Sequence, residues 1–212
     1  MKPFLTKGQT VLFQGDSVTD CDRDRNDPTS LSAGYPGKVA AVYRALFGDG
    51  VRFINRGVGG DRTKNLLLRY EEDFRQVKPD FVSILIGIND TWRRYDSGDP
   101  TSTQQFAANY RQLLTQLRAD FPDIKIMLIE PFLLPTMADK LCWREDLDPK
   151  IQEVRALGAE FADYYIPMDG IVNALCITKT YRPEELSADG VHPTDVGHGV
   201  LAYQYLKTLE IL

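Results

Sequence analysis

The stretch that most constrains this chain is Phe81-Val82-Ser83-Ile84-Leu85-Ile86. It is a near-continuous apolar run, set off by Lys78-Pro79-Asp80 before it and Gly87 after it. Such a run reads as a central parallel strand covered on both faces. Shorter β-rich runs at 10–14, 51–55 and 124–129 repeat the theme, and a weaker one at 161–167 is predicted at a sheet edge. The intervening segments carry helical periodicity. One spans about 36–47, with Val39, Val42, Tyr43, Leu46 and Phe47 on one stripe. A second runs from after Asp61 to about Gln76, with Leu66, Leu67, Tyr70 and Phe74 inward. A third spans about 103–121 on Phe106, Tyr110, Leu113, Leu114 and Leu117, and a fourth follows Glu145 on Leu147, Ile151, Val154 and Leu157. A short helix is predicted over 169–175, with an irregular stretch or one turn over 181–186. The last helix spans about 195–208, with Val196, Val200, Tyr203 and Leu206 facing the sheet. Strand–helix alternation through five strands predicts an α/β fold, a three-layer α/β/α sandwich with a mostly parallel sheet. Active loops then gather beyond the carboxyl ends of the strands.

A chain of 212 residues suits one substantial core, so a single domain over 1–212 is expected. The net charge of -5 and the lack of a dense Lys/Arg run argue against a nucleic-acid binder. No segment approaches the roughly 20 apolar residues of a membrane helix, and the start has no signal-like apolar run, so no membrane partner is expected. Cys21, Cys142 and Cys176 are odd in number and far apart, which fits a reducing compartment. A cytoplasmic protein is the resulting expectation. No Cys-x-x-Cys pair exists, and the metal reading is weak.

Polar residues collect where the strands end. Gly15-Asp16-Ser17 closes the first strand, and Arg56-Gly57-Val58-Gly59-Gly60-Asp61 follows the second. The glycine spacing of the latter is neither a dinucleotide fingerprint nor a Walker loop. Gly87-Ile88-Asn89-Asp90 closes the third strand, leading into a predicted loop from Trp92 to Thr103. Asp189-Gly190-Val191-His192 precedes the last helix. Acyl transfer needs a nucleophile, a base, an orienter and oxyanion donors. Ser17, His192 and Asp189 supply the first three. The backbone N–H groups of Ser17 and Gly60 and the Asn89 amide supply the donors. The bland alternatives are a turn serine at 17, a capping aspartate at 189 and a surface histidine at 192.

Taken together, Gly15-Asp16-Ser17, Asn55-x-Gly57-x-Gly59-Gly60, Gly87-x-Asn89-Asp90 and Asp189-x-x-His192 resemble, in order, the four motif blocks of the SGNH hydrolases, or GDSL-type lipases and acylhydrolases. The resemblance implies a serine esterase on a flavodoxin-like five-stranded sheet, with Ser17, Asp189 and His192 as triad and Ser17, Gly60 and Asn89 as oxyanion donors. It implies no metal and no cofactor. A narrower likeness is to intracellular bacterial acetyl-xylan esterases. It rests on Gln14-Gly15-Asp16-Ser17-Val18-Thr19-Asp20-Cys21, on Tyr70-Glu71-Glu72-Asp73, on Ile86 through Arg93 and on Val191 through His198. Position 14 departs from it, being glutamine where an apolar residue is more usual. The likeness implies an acetylated sugar or related ester as substrate, and a homo-oligomer.

Around this core lie further candidates. Asp16 is a substrate-side residue or a brace for the nucleophile turn. Trp92 stacks on a sugar ring or packs. Arg93 and Arg94, with Arg56, anchor hydroxyls or pair with carboxylates. His198 is expected at the surface or as a cap. A lysophospholipase, thioesterase or general acylesterase would instead need an acyl tunnel, for which Leu133, Leu134, Met137 and Trp143 are the candidates.

Overall fold

Five strands form one sheet in a computed structural model that describes residues 5–212. They are β1 (Thr10–Gly15), β2 (Arg52–Asn55), β3 (Phe81–Leu85), β4 (Lys125–Ile129) and β5 (Tyr164–Ile166), in the order β2-β1-β3-β4-β5, all parallel. The expected α/β/α architecture is observed, with the weak fifth strand at an edge. Successive side chains point to opposite faces. Val11, Phe13, Phe81 and Met127 therefore face one helical layer with Tyr35 and Tyr205, while Leu12, Val82, Ile84 and Leu128 face the other with Phe106 and Tyr110. Order reverses between β1 and β3. The loops after them diverge and leave a crevice at their carboxyl ends, where ligands bind in sheets of this kind.

The helices are α1 (Ser17–Asp20), α2 (Tyr35–Phe47), α3 (Thr63–Leu68), α4 (Ile88–Asp96), α5 (Thr103–Asp120), α6 (Arg144–Phe161), α7 (Met168–Ile177), α8 (Pro183–Leu186) and α9 (Asp195–Thr208). Several differ from expectation. The helix predicted to Gln76 breaks after Leu68 and resumes as a wide π turn over Glu71–Arg75. That turn rotates Asp73 inward to accept from Gln14 Nε2 at 2.8 Å, which explains a buried glutamine at position 14. The predicted loop from Trp92 to Thr103 is helical only as far as Asp96, where α4 ends, and the arginines of that stretch find acidic partners; the remainder is loop, as expected. In α2, Leu46 is exposed rather than inward.

The helix α9 has its predicted span, but only part of its predicted face. Leu206 is buried and Val200 packs against the core, whereas Val196 and Tyr203 are exposed and Gly197, His198, Leu201, Ala202 and Tyr205 are buried instead. Gly197 decides the rotation, because a Cβ there would lie 2.2 Å from the Leu186 carbonyl oxygen. Only a bare Cα lets α9 approach α8 so closely. Among the described residues no helix is long and apolar enough to cross a membrane.

Candidate active site

Gly15 ends β1 in a position that admits no side chain: a Cβ would lie 2.3 Å from the Leu85 carbonyl oxygen of β3. Asp16 then caps α1, its Oδ1 accepting from the Val18 N–H at 3.0 Å. The cap presents Ser17 at the first position of a one-turn helix, directly over the β1–β3 crevice. Asp16 itself is buried, and burial pushes its carboxyl up to about 7. It therefore sits beneath the Ser17 turn, the brace position of the two that the sequence left open.

Ser17 Oγ lies 2.9 Å from His192 Nε2, and His192 Nδ1 lies 2.8 Å from Asp189 Oδ2. The other carboxylate oxygen, Asp189 Oδ1, accepts from the His192 N–H at 2.7 Å and the Val191 N–H at 2.9 Å. Burial alone would raise the Asp189 carboxyl, but the bonds from the His192 ring and these two backbone groups outweigh it and hold the group well below the usual carboxylate range. The same ring bond to Asp189 raises His192 above its ordinary value, against the opposing effect of burial. An ionised carboxylate accepting at Nδ1 requires the proton there, so neutral His192 presents a bare Nε2 to the Ser17 hydroxyl.

The oxyanion candidates converge on the same side. As the first residue of α1, Ser17 has no helical acceptor for its N–H. Among the described residues neither that N–H nor the Gly60 N–H has a partner. The neighbouring Gly59 N–H is occupied, donating to Asp20 Oδ2 at 3.1 Å, which leaves Gly60 as the open donor of the pair. Asn89 is buried in the first turn of α4. Its Nδ2 spends one hydrogen on the Asp61 carbonyl at 3.1 Å, and Arg93 Nη2 donates to its Oδ1 at 3.4 Å, so the second Nδ2 hydrogen remains. Asn55 ties the layers together by donating to the Thr19 carbonyl at 2.6 Å and accepting from the Gly57 N–H at 2.9 Å.

The remaining sequence candidates are placed as follows. Trp92 packs between Trp143 and His192, with ring centroids 5.1 and 5.7 Å away. Arg93 pairs with Asp96, and Arg94 with Asp146 at 3.2 Å. Arg56 approaches Asp73 at 3.9 Å. His198 is not at the surface: it is 5% exposed, accepts from the Tyr35 N–H at 3.2 Å and meets Cys21 Sγ at 3.3 Å. Burial, with the Lys38 charge adding to it, pushes its ring down to about 4.

A cavity of about 290 Å³ opens beside Ser17, lined by polar groups from Asp20, Asp22, His192 and His198 together with Cys21 and Gly59. The proposed tunnel residues are elsewhere. Leu133, Leu134 and Trp143 are buried in the core, and Met137 is exposed. Two residues at the site escaped the sequence reading. Asp20 is buried under Gly59; Lys140, in a short 3-10 helix over Ala138–Trp143, contacts Asp189. Lys140 lies in no periodic segment and no motif that would single it out.

The profile of the GDSL-like Lipase/Acylhydrolase family matches residues 13–200. An acetylxylan esterase of Geobacillus stearothermophilus is 33% identical over 213 residues, covering 97% of this chain and 95% of its own. A crystal structure of an acetylxylan esterase from that organism superposes with a TM-score of 0.85 at 31% identity, over 96% of this chain and 94% of that one. A GDSL-like protein of Parabacteroides merdae superposes with a TM-score of 0.89 at 30% identity, over the full length of both chains. The match begins in the strand that leads into Ser17 and ends in the helix beyond His192, so the chain belongs to the GDSL-like lipase/acylhydrolase family, the SGNH hydrolases.

Proposed function

We propose that this serine esterase removes O-acetyl groups from short xylo-oligosaccharides or related acetylated sugars. The observation that carries the reading is the Ser17–His192–Asp189 chain, at 2.9 and 2.8 Å, standing at the mouth of a small cavity. Ser17 Oγ attacks the acetyl carbonyl carbon as His192 Nε2 takes its proton. The carbonyl oxygen becomes an oxyanion, held by the Ser17 and Gly60 N–H groups and by Asn89 Nδ2. The tetrahedral species collapses, the C–O bond to the sugar breaks, and the imidazolium hands its proton to the departing sugar oxygen. Water, deprotonated by His192, then attacks acetyl-Ser17. Acetate leaves and Ser17 regains its proton. Asp189 stays ionised and stabilises the imidazolium at both stages.

The modest volume supports a small acyl group such as acetyl, and Asp20 and Asp22 at the wall offer acceptors to a hydroxyl-rich sugar. Burial of Leu133, Leu134 and Trp143 speaks against a long acyl chain. The test is acetate release from acetylated xylo-oligosaccharides beside p-nitrophenyl esters of increasing chain length. Acetyl sugars should lead, and rates on the esters should fall as the chain lengthens. Ser17→Ala should lose about 1,000-fold or more in kcat. Intact acetyl sugars beside rapidly cleaved long-chain esters would overturn the substrate, and an active Ser17→Ala would overturn the mechanism.

We also read residues 1–212 as one domain of a cytoplasmic homo-oligomer. The three free cysteines support the compartment, and the exposed Met137 and Leu141 support contact between copies.

A further inference from the structure

The 3-10 helix over Ala138–Trp143 lies against the turn that carries Asp189 and His192. Two contacts fasten it there. The Leu134 N–H donates to the Gly190 carbonyl at 2.9 Å, and Lys140 Nζ donates to the Asp189 carbonyl at 2.7 Å. The Lys140 nitrogen also stands 3.5 Å from Asp189 Oδ2, the oxygen that receives the His192 ring. It lies 4.8 Å from the Trp92 ring centroid and 5.5 Å from that of Trp143, and only 7% of the residue is exposed. An ammonium so removed from water is costly unless it is paired. Here two indole faces, a carbonyl and a carboxylate edge enclose it.

We propose that Lys140 is a positioning residue for the base. Its ammonium fixes the 189–190 peptide plane and shares the Asp189 carboxylate with His192, so that the imidazole keeps its line to Ser17 and remains available as a proton acceptor. This rests on the reading of Asp189 and His192 as orienter and base. Lys140 does not line the cavity beside Ser17, so its effect passes through Asp189 rather than through substrate.

The charge balance at the ring explains why a cation is useful there. Asp189 on the same turn favours imidazolium, as does Asp16 from beneath the Ser17 turn. His198, on α9, is held neutral over the working range by its burial. The Ser17 hydroxyl and the Trp92 ring are uncharged. Lys140 is then the group that offsets two carboxylates. Removing its charge leaves the imidazolium over-stabilised, and the base becomes free only at higher pH.

The experiment is the pH profile of kcat/KM on p-nitrophenyl acetate for Lys140→Met, Lys140→Gln and Lys140→Arg, with His192→Ala measured alongside. In Lys140→Met the acid limb should move up by about half a pH unit or more. Its kcat should fall on the order of tenfold, with KM little changed. Lys140→Gln, which keeps a donor but no charge, should move the limb in the same direction, and it is read in place of Lys140→Met if the latter fails to fold. Lys140→Arg should keep the wild-type limb. A neutral variant whose limb coincides with wild type overturns the role, as does a Lys140→Arg shift equal to that of Lys140→Met. An active His192→Ala overturns the triad reading itself and is distinguishable from either result.

Discussion

Ser17, His192 and Asp189 form a chain in which each residue sets the chemical state of the next. The Asp189 carboxylate is held ionised by three N–H donors, two of them from the backbone, and it fixes the tautomer that bares His192 Nε2. The proposed mechanism requires the neutral ring. Because Asp189 raises the His192 pKa, kcat/KM should climb with pH through an inflection above the ordinary 6.5 of histidine and then level off. In Asp189→Asn the stabilising charge is gone, so the inflection should move to lower pH while kcat drops on the order of 1,000-fold or more. A pH–rate series on wild type and variant checks both signs; an inflection that stays in place would detach Asp189 from the base. The convergence of Ser17, His192 and Asp189 was legible in the sequence because each lies in one of four short motifs at the strand ends. His198 was not. Its partners, the Tyr35 N–H and Cys21, lie 163 and 177 positions away, and nothing adjacent to it in the chain signals burial.

Elements show the same division between local and distant causes. The sheet was readable because strands buried on both faces carry their burial in their own composition. Helix α4 was not, since Arg94 is matched by Asp146 on α6 rather than by a neighbour, so the segment looks like a polar loop. The face of α9 was read correctly at Val200 and Leu206 and misread at Val196 and Tyr203, because apolar spacing favours that stripe, whereas packing is set by how near Gly197 comes to Leu186. The elbow between β1 and α1 is the element on which the site depends most. Gly15→Ala would drive a methyl group into the Leu85 carbonyl, which belongs to the β1–β3 ladder. Overpacking of this kind costs about 1–3 kcal/mol, and the backbone oxygen at the contact leaves little room for relief. Thermal melting should therefore show a lower midpoint, and esterase activity should fall even below the melt, because Ser17 moves with the elbow. Wild-type activity in a destabilised Gly15→Ala would show that the elbow is not what positions the nucleophile.

Over the whole molecule, buried ionisable groups set opposing slopes of stability against pH. Asp16 and Asp90 are raised to about 7 and about 6, both by burial. Between about pH 4 and 7 the folded chain thus holds protons that the unfolded chain has released, and stability falls as pH rises. His198 acts the other way. Its folded value is about 4, so between that and 6.5 the unfolded chain binds the extra proton and stability rises with pH. Asp16→Asn keeps the capping oxygen and removes one titration. The difference in melting midpoint, variant minus wild type, should therefore grow in the variant's favour from pH 4.5 to 7.5. A constant difference over that range would mean that Asp16 does not titrate there.

The nucleophile and its base are 175 residues apart in sequence. During synthesis Ser17 emerges early, just after a strand whose partners β2 and β3 both follow it, and His192 emerges close to the last helix. A nascent chain short of residue 189 holds a serine with neither base nor orienter, and its hydroxyl is no more reactive than that of any surface serine. Ester cleavage therefore begins only when α9 has docked and the sheet is already complete. Half-made chains in the cell are chemically silent, and catalytic competence is itself the signal that folding has finished.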